Sequence, residues 1–580
     1  MSLAGASPVA AAEAALAADR AHADPAVWIT RLPDEAILTR ARALQAEESQ
    51  GRALWGVPFA VKDNIDVAGL PTTAACPGFA YVPRADAPAV RRLLDAGAVL
   101  VGKTNLDQFA TGLVGVRSPF GIPRNVFDAA RVPGGSSSGS ACAVAAGIVP
   151  FALGSDTAGS GRVPAMFANI VGLKPTVGSV SARGVVPACR SIDTISVFAG
   201  SVDGALAVLR VIAAHDPHDA YSRPAPFAHL RRAAVPPHPR IAAAEVADLC
   251  TPAVATAYAA ALKHLDAEAV DITPFLNVAR LLYEGPWVAE RTAALRDVLA
   301  RHPAGLHAVT LSILRSGLDR RTVDAFDAFH VLAEARRIAR DLFLRFDALL
   351  LPTAPFCPTL TELAADPIAP NSRLGTFTNF VNLCDLAAIA VPTGLGTDRL
   401  PTGATLIGPA WSEGRLAALA DRLHRTNSTR IGATSRSLSE PAPPDRLAPG
   451  ETALFCIGAH MSGLPLNAQI TGLGGRFIAA AATEPAYRLY ALGARPGLVR
   501  ASDGLGGSIA GEIWALPTEA IGTLLAQVPP PLGFGTVALR SGPCLGFLAE
   551  TAGLKGALDI TAHGGWRAWL AHRATQEMRT

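Results

Sequence analysis

Short, uninterrupted apolar runs bounded by polar or glycine-rich loops are the feature that most constrains the fold of this chain. Residues 56–61 (GVPFAV) and 98–102 (AVLVG) are two such runs, separated by a helical pattern over 89–96. Similar runs recur at 348–352 and 387–392. Runs of this length and composition are typical of buried strands, and the strand–helix–strand order favours a parallel, doubly wound sheet. The sequence therefore predicts an α/β fold with a central sheet covered by helices.

The composition predicts a soluble, folded chain without a strongly charged surface. Half of the 580 residues are hydrophobic and 17% are charged, which excludes an intrinsically disordered chain. The net charge of +3 argues against nucleic acid or an anionic membrane as a partner. The longest near-apolar stretch, residues 141–154, is too short to span a bilayer, and the N-terminus lacks the pattern of a signal peptide. We therefore expect a cytoplasmic location.

A domain boundary is predicted at residues 431–448. This stretch is rich in Ser, Pro and charged residues and has no apolar period, as expected of a linker. Residues 1–430 contain the long apolar runs and a helical segment at the N-terminus, whereas residues 449–580 show short β-like runs separated by glycine. We expect a large α/β domain followed by a smaller α+β domain.

Three polar segments of the first domain contain candidate catalytic residues. Residues 133–147 (PGGSSSGSACAVAAG) are rich in Gly and Ser and precede a helical pattern. They lack the lysine of a phosphate-binding P-loop, so they either present hydroxyl and N–H groups to a substrate or form a flexible loop. Residues 154–165 (GSDTAGSGRVPA) contain Ser160, and residues 60–69 (AVKDNIDVAG) contain Lys62.

The order and spacing of these three segments resemble the amidase signature family. That family uses a Ser–cis-Ser–Lys triad on a large α/β fold with a mixed central sheet, and the resemblance covers roughly residues 25–425. It implies that Lys62 is the triad lysine, Ser136 the bridging serine at a cis peptide, and Ser160 the nucleophile. In the family, backbone N–H groups just before the nucleophile form the oxyanion hole. The corresponding residues are Thr157, Ala158 and Gly159.

The residue types fit this chemistry independently of the resemblance. A serine hydroxyl needs a base, and no histidine lies between His22 and His215, so a Ser-His-Asp arrangement is disfavoured. Lys62 can act as the base only when neutral, and burial would lower its pKa from the solvated value of about 10.4. It is one of only five lysines beside 46 arginines, and arginine cannot serve as a base. Ser136 can pass the proton on because a hydroxyl both donates and accepts.

Residues 282–295 (LYEGPWVAERTAAL) contain a candidate substrate-binding pair. Tyr283 and Arg291 are eight residues apart, which on one helix would place them on the same face, roughly 12 Å apart along the axis. Alone, the pair could clamp a small carboxylate or belong to an ordinary helix with a packed Tyr and an exposed Arg. The segment resembles the allophanate hydrolases of this family, in which these residue types bind the substrate carboxylate. Gly112 and Gly115 are further candidates through their backbone.

The second domain resembles the C-terminal domain joined to allophanate hydrolases, which is similar in shape to γ-glutamyl cyclotransferase-like folds. The resemblance rests on residues 458–475, on GEIWALP at 511–517 and on DITAHGGWRAWL near the end. His460 follows a strand-like run and precedes a Gly/Ser loop. This position suits acid–base chemistry, or a loop histidine that caps a turn. The resemblance implies that this domain removes CO2 from the product of the amidase step.

Together these resemblances imply hydrolysis of allophanate (urea-1-carboxylate) with release of ammonia, followed by decarboxylation of N-carboxycarbamate. They also imply a homodimer that works after a separate urea carboxylase in urea degradation. One alternative is another small-amide amidase, acting on biuret, malonamate or an aryl acetamide. A non-catalytic binding subunit with this fold is disfavoured because all three triad residue types are present. No metal or organic cofactor is expected, since the eight cysteines form no CxxC pair.

Overall fold

The structure, a computed structural model, describes residues 7–47, 49–263, 265–428, 430–502 and 505–577. The chain divides into two compact units. The first unit comprises the chain up to Ala225 together with Ile241–Leu342 and Ala348–Ala442. The second comprises Pro226–Arg240, Phe343–Asp347 and the chain from Pro443 onward. The second unit therefore includes two short segments from the region predicted to be one domain, and no change of composition indicates them.

A mixed sheet of eleven strands forms the centre of the first unit. The strands are β1 (Trp28–Arg31), β2 (Pro58–Lys62), β3 (Val99–Thr104), β4 (Phe151–Asp156), β5 (Val171–Lys174), β6 (Thr194–Ala199), β7 (Ile241–Ala243), β8 (Ala267–Ala269), β9 (Ala348–Pro352), β10 (Leu386–Leu395) and β11 (Pro401–Pro409). Their order in the sheet is β1-β3-β2-β4-β6-β5-β10-β11-β9-β7-β8.

The pairing of these strands is parallel only in part. β2 lies parallel to β3 and β4, and β7 lies parallel to β8 and β9. The pairs β4–β6, β5–β6, β5–β10 and β10–β11 are antiparallel. The mixed sheet implied by the resemblance is confirmed. The parallel, doubly wound order predicted from the apolar runs is wrong for the middle of the sheet, because antiparallel strands buried on both faces have the same uninterrupted apolar runs.

Of the α-helices in the described residues, sixteen lie wholly or mainly in the first unit. The chain order is α1 (Pro8–His22), α2 (Asp34–Glu47), α3 (Pro88–Asp95), α4 (Ser138–Ala145), α5 (Val163–Phe167), α6 (Val202–Ile212), α7 (Pro252–Leu262), α8 (Thr273–Leu281), α9 (Trp287–Ala294), α10 (Arg296–Arg301), α11 (Ala308–Ser316), α12 (Thr322–Arg345), α13 (Leu360–Ala365), α14 (Ala369–Leu374), α15 (Asn379–Leu383) and α16 (Glu413–Asn427). Helix α4 packs on β4, α6 on β6 and α16 on β10. None of the described helices is long and apolar enough to cross a membrane.

The second unit consists mostly of strands. Its strands are β12 (Glu451–Cys456), β13 (Arg476–Ala482), β14 (Tyr487–Leu492), β15 (Arg495–Arg500), β16 (Ala510–Pro517), β17 (Leu532–Leu539), β18 (Gly542–Ala549) and β19 (Leu558–Asp559). They form a five-stranded sheet, β13-β16-β12-β18-β17, and a three-stranded sheet, β15-β14-β19. The helices are α17 (Asn467–Gly472), α18 (Thr518–Leu525) and α19 (Trp566–Glu577). The hydrophobic core of this unit includes Leu454, Phe455, Trp514 and Leu516.

The first residues of the predicted linker belong to the first unit. The N–H of Gly432 donates to the carbonyl of Asn169 at 2.9 Å, and that of Ala433 donates to the carbonyl of Ala145 at 3.0 Å. Residues 431–433 are therefore held against the first unit by backbone hydrogen bonds, although their composition is that of a linker.

Candidate active site

Lys62 is the last residue of β2, and its side chain is fully buried in the first unit. Its Nζ lies 2.7 Å from Ser136 Oγ and 2.8 Å from Ser155 Oγ. Asn64 Nδ2 also donates to Ser155 Oγ, at 3.1 Å. The amine is thus surrounded by hydroxyl groups and forms no hydrogen bond with a carboxylate among the described residues. This environment lets a lysine lose its proton.

The pKa of the Lys62 amine is lowered from 10.5 to about 7, chiefly because burial disfavours the charged form. The carboxylates of Asp107, Asp156 and Asp193 act in the opposite direction, and the guanidinium of Arg291 lowers the pKa further. A base with a pKa near neutral pH is half deprotonated under working conditions, which is the range in which general-base catalysis is efficient.

Ser136 lies in the loop just before α4, and the Gly135–Ser136 peptide bond is cis. The loop is held on both sides of this bond. The N–H of Gly135 donates to the carbonyl of Leu113 at 2.9 Å, and the carbonyl of Ser136 accepts from the N–H of Asp107 at 3.0 Å. These contacts place the Ser136 hydroxyl against Lys62, at the C-terminal end of the central strand β2.

Ser160 lies in the loop between β4 and α5 and is 2% exposed. This loop is organised around a buried ion pair: Arg162 donates to Asp156 through Nε and Nη2, both at 2.9 Å. Asp156 also accepts from the N–H groups of Gly159 at 2.9 Å and Gly161 at 3.0 Å. Burial alone would raise the pKa of Asp156, but Arg162 reverses this effect and lowers it. The carboxylate therefore stays ionised and closes the loop around Ser160.

The backbone N–H groups before Ser160 differ in their availability. The N–H of Gly159 is engaged by Asp156. Among the described residues, no hydrogen bond engages the N–H of Thr157 or of Ala158. The Thr157 hydroxyl donates to Asp193 at 2.5 Å, and the carbonyl of Ala158 accepts from the Thr378 hydroxyl at 2.6 Å, so both residues are held in place. Thr157 and Ala158 are therefore better placed than Gly159 to receive an oxyanion.

Tyr283 and Arg291 do not share one helix. Arg291 is on α9, whereas Tyr283 follows the end of α8 in a turn that contains Gly285 and Pro286. The prediction of a common helical face is wrong because proline disfavours helical backbone in the residue before it and lacks the N–H that a continuous helix needs. The two side chains nevertheless meet: the guanidinium carbon lies 5.7 Å from the centre of the Tyr283 ring.

Arg291 is 1% exposed, and the shortest hydrogen bond of its guanidinium is made by Nη1. Its Nη1 donates to Thr111 Oγ1 at 2.8 Å and lies 3.4 Å from the carbonyl oxygen of Ala110. Its Nη2 has no hydrogen-bond partner among the described residues, and neither has the hydroxyl of Tyr283, although both atoms are buried. Buried polar groups without partners are rare in folded proteins, which makes these two neighbouring groups candidate contacts for a ligand.

Gly112 and Gly115 lie beside Asp107 in the loop after β3. The N–H of Gly115 donates to Asp107 Oδ2 at 2.8 Å. Gly112 has a φ of +149°, and a Cβ at this position would lie 2.8 Å from the same oxygen and 3.0 Å from Arg117 Nη1. Both glycines thus allow the backbone to wrap closely around the Asp107 carboxylate. Because the N–H of Gly115 is already engaged, a contact with substrate through that group would have to compete with Asp107.

Several residues of this site are missing from the sequence prediction. Ser155 is the second hydroxyl on Lys62, and Thr111 holds Arg291. Asp107 accepts from the N–H of Gly115 through its carboxylate and donates its own N–H to the carbonyl of Ser136 at the cis peptide. Asp193 accepts from the Thr157 hydroxyl, and burial raises its pKa to about 6. Ser155 lies in the polar segment 154–165 that contains Ser160, and this position is its only local signal.

His460 belongs to the second unit and follows β12. Its Nε2 lies 3.0 Å from Gln469 Oε1, and its ring stacks on Phe547 with centres 4.9 Å apart. Burial lowers the pKa of His460. The next turn is fixed by Glu512, which accepts from the N–H and hydroxyl of Ser462, both at 2.7 Å. The His460 side chain is therefore held by these two contacts on the wall of a cavity.

Comparison with known families defines the class of protein. The Amidase family model matches residues 12–417, and the chain belongs to this family. A second model, the allophanate hydrolase C-terminal domain, matches residues 452–571. The family assignment predicted from the three motifs is confirmed. Among the described residues, no group of three or more His, Cys, Asp or Glu side chains could hold a metal ion.

Individual relatives of this chain narrow the comparison further than the family models do. The crystal structure of Kluyveromyces lactis allophanate hydrolase is 40% identical with a TM-score of 0.77, covering 98% of this chain and 97% of that one. Urea amidolyase of Saccharomyces cerevisiae is 42% identical over 571 residues, which are 94% of this chain and 31% of that protein. Urea amidolyase of Lachancea kluyveri is 41% identical over 587 residues, which are 96% of this chain and 32% of that protein. The chain thus spans about a third of the urea amidolyases it matches.

Proposed function

We propose that this chain hydrolyses the amide bond of allophanate and releases ammonia. The observation that carries this proposal is the pair of buried, unpartnered groups, Arg291 Nη2 and the Tyr283 hydroxyl. Two donors from one guanidinium and one phenol suit a carboxylate, which accepts hydrogen bonds only. Allophanate is a small amide with a carboxylate at one end. The likeness to Kluyveromyces lactis allophanate hydrolase over nearly the whole of both chains supports the same substrate.

The first step is acyl transfer to Ser160. Its oxygen attacks the carbonyl carbon of the terminal amide while its proton passes through the hydroxyl of Ser136 to neutral Lys62. The 2.7 Å separation of Lys62 Nζ and Ser136 Oγ is a hydrogen-bond distance suited to this transfer. The pKa of about 7 makes the neutral amine available.

The negative charge that develops on the carbonyl oxygen needs donors that are already in place. The N–H groups of Thr157 and Ala158 are the ones we assign to it, with Gly159 as a weaker third because Asp156 engages its N–H. Preorganised donors of this type are each worth about 10²–10³ in rate. The Asp156–Arg162 pair supports them indirectly by holding the loop.

Collapse of the tetrahedral intermediate releases ammonia, which takes its proton back from Lys62 through Ser136. The acyl group left on Ser160 is a carbamoyl with a carboxylate on its nitrogen. A water molecule, deprotonated by the same lysine, attacks this carbonyl and frees Ser160. The products of the first site are ammonia and N-carboxycarbamate, and the carboxylate held by Arg291 is retained throughout.

The second domain is proposed to remove CO2 from N-carboxycarbamate, with His460 as the proton donor to the nitrogen. We assign the amidase chemistry to residues 1–430 and the decarboxylation to the C-terminal domain of residues 449–580, which we expect to have a γ-glutamyl cyclotransferase-like shape. The wider role is the second half of urea degradation in the cytoplasm, after a separate urea carboxylase, with the chain as a homodimer. The likeness to urea amidolyases supports the link to urea, although this chain covers only about a third of them.

The test compares allophanate with biuret, in which a carboxamide replaces the carboxylate. Purified chain should release ammonia from allophanate much faster than from biuret, and S160A should release none. R291Q should lose on the order of 10- to 100-fold in kcat/KM with allophanate and far less with biuret, because only allophanate loses a charge-assisted pair. R296Q changes an exposed arginine five residues further on and should behave as wild type. Equal losses of R291Q on both substrates would show that Arg291 is structural.

A further inference from the structure

The second unit contains a cavity beside His460 that is partly open to solvent. Its polar lining consists of His460, Gln469, Gln527 and Arg495, and the remaining wall is largely apolar and includes Phe547. No carboxylate lies among the described residues that line it. The cavity therefore has one permanent positive charge and no negative charge of its own.

Arg495 differs from the other arginines of this unit that are near its core. Arg476 is paired with Glu451 at 2.6 Å, and Arg567 is paired with Glu512 at 2.8 Å. The side chain of Arg495 forms no ion pair or hydrogen bond with any described residue. Its backbone is fixed as the first residue of β15, in a hairpin with β14. An unpaired guanidinium on a strand with a fixed backbone is available to bind an anion.

We propose that Arg495 binds one carboxylate of a small dicarboxylate and so orients it against His460. The inference rests on the proposed decarboxylation in this domain and names the residue that would select its dianionic reactant. In N-carboxycarbamate two carboxylates flank one nitrogen. Arg495 holds the carboxylate that is retained, and the other carboxylate faces the apolar wall.

The geometry gives each group one task in the step. The bond between the nitrogen and the departing carboxylate carbon breaks, its electron pair stays on nitrogen, and CO2 leaves. The nitrogen takes a proton from the His460 imidazolium, so carbamate remains on Arg495. Contact of the departing carboxylate with apolar side chains favours its loss, because neutral CO2 needs no solvation there. Since Gln469 engages Nε2 of His460, Nδ1 is the nitrogen that donates this proton.

Malonate is a suitable probe, because a methylene replaces the nitrogen and the molecule is stable. Malonate also fits the proposed carboxylate site at Arg291 in the first unit. The measured signal must therefore come from the cavity beside His460. We would titrate the full chain with malonate and follow the ¹³C-labelled His460 ring resonance, assigned by its loss in H460A. R495Q should raise the dissociation constant for malonate, measured from this signal, on the order of 10- to 100-fold. R500Q, an exposed arginine at the other end of β15, should leave it unchanged.

A kinetic experiment distinguishes the role of Arg495 from the proposed function of the chain. In rapid mixing with allophanate, R495Q should release ammonia at the wild-type rate while CO2 release lags, and R495K should recover part of the lag. Malonate binding to R495Q with wild-type affinity, or CO2 release that keeps pace with wild type, would overturn the inference. If malonate shifts His460 in the wild-type chain but allophanate yields no ammonia, the anion site stands and the proposed function fails.

Discussion

The side chains of Lys62 and Ser136 lie 2.7 Å apart, Nζ to Oγ, although 74 residues separate them in the chain. One is at the end of a central strand and the other is in the loop before α4. The contact brings an amine with a pKa of about 7 to the hydroxyl that would carry a proton to it. The mechanism proposed for the first site depends on this contact, and two predictions test it directly.

Replacing Lys62 with arginine should abolish most amide hydrolysis. Arginine keeps the positive charge and most of the length, but it cannot be deprotonated at any working pH. We expect ammonia release to fall by about 10²–10⁴-fold, the usual range for loss of a general base. K263R, at an exposed lysine, is the matched control. Near-normal activity in K62R would show that Lys62 only supplies charge.

The pH dependence of ammonia release should report the titration of Lys62. Below pH about 7 the amine is protonated and cannot accept the serine proton, so kcat/KM should fall as the pH is lowered through this value. Above it the amine is neutral, and the rate should rise to a plateau. The measurement is kcat/KM for allophanate between pH 5.5 and 9 at constant ionic strength, the range being chosen around that pKa. A rate that falls as the pH rises through 7 would contradict the assignment.

Replacing Tyr283 with phenylalanine should separate function from stability. The hydroxyl is buried without a partner among the described residues, so its removal costs the fold no hydrogen bond and should leave the melting temperature unchanged or slightly raised. The KM for allophanate should rise by about 10-fold, because a donor to the carboxylate is lost. Thermal melts and steady-state kinetics of the same preparation provide both values. A lower melting temperature with unchanged KM would mean that the hydroxyl serves the fold.

Replacing His460 with alanine should leave ammonia release intact and slow the release of CO2. The two steps should also respond to pH in opposite directions in the wild-type chain. The first needs neutral Lys62, whereas a proton donor needs protonated His460, whose pKa is lowered by burial. Stopped-flow detection of CO2 beside ammonia provides the readout, with H572A at an exposed histidine as the control. Unchanged CO2 release in H460A would make His460 a packing residue of the cavity wall.

The candidate triad could be predicted through the resemblance because each member lies in a contiguous motif. Lys62 ends an apolar run, and Ser136 and Ser160 lie in Gly- and Ser-rich loops that follow a fixed order. The candidate substrate-binding pair was predicted through the resemblance, and the common helical face expected for it was wrong because Gly285 and Pro286 interrupt the helix. The Tyr283 ring reaches Arg291 through the fold of that turn, which no helical period describes.

The sequence by itself determined the strands with uninterrupted apolar runs, the candidate catalytic residue types and the β-rich character of the C-terminal region. These properties depend on residues that are neighbours in the chain. Tertiary structure alone decided the antiparallel middle of the sheet, the second hydroxyl on Lys62 from Ser155, and the assignment of Pro226–Arg240 to the second unit. It also decided which polar groups of the described residues remain unpaired, as Arg291 Nη2 and the side chain of Arg495 do. Strand pairing, side-chain hydrogen bonding and burial depend on residues brought together from distant parts of the chain. Local composition and spacing therefore do not predict them.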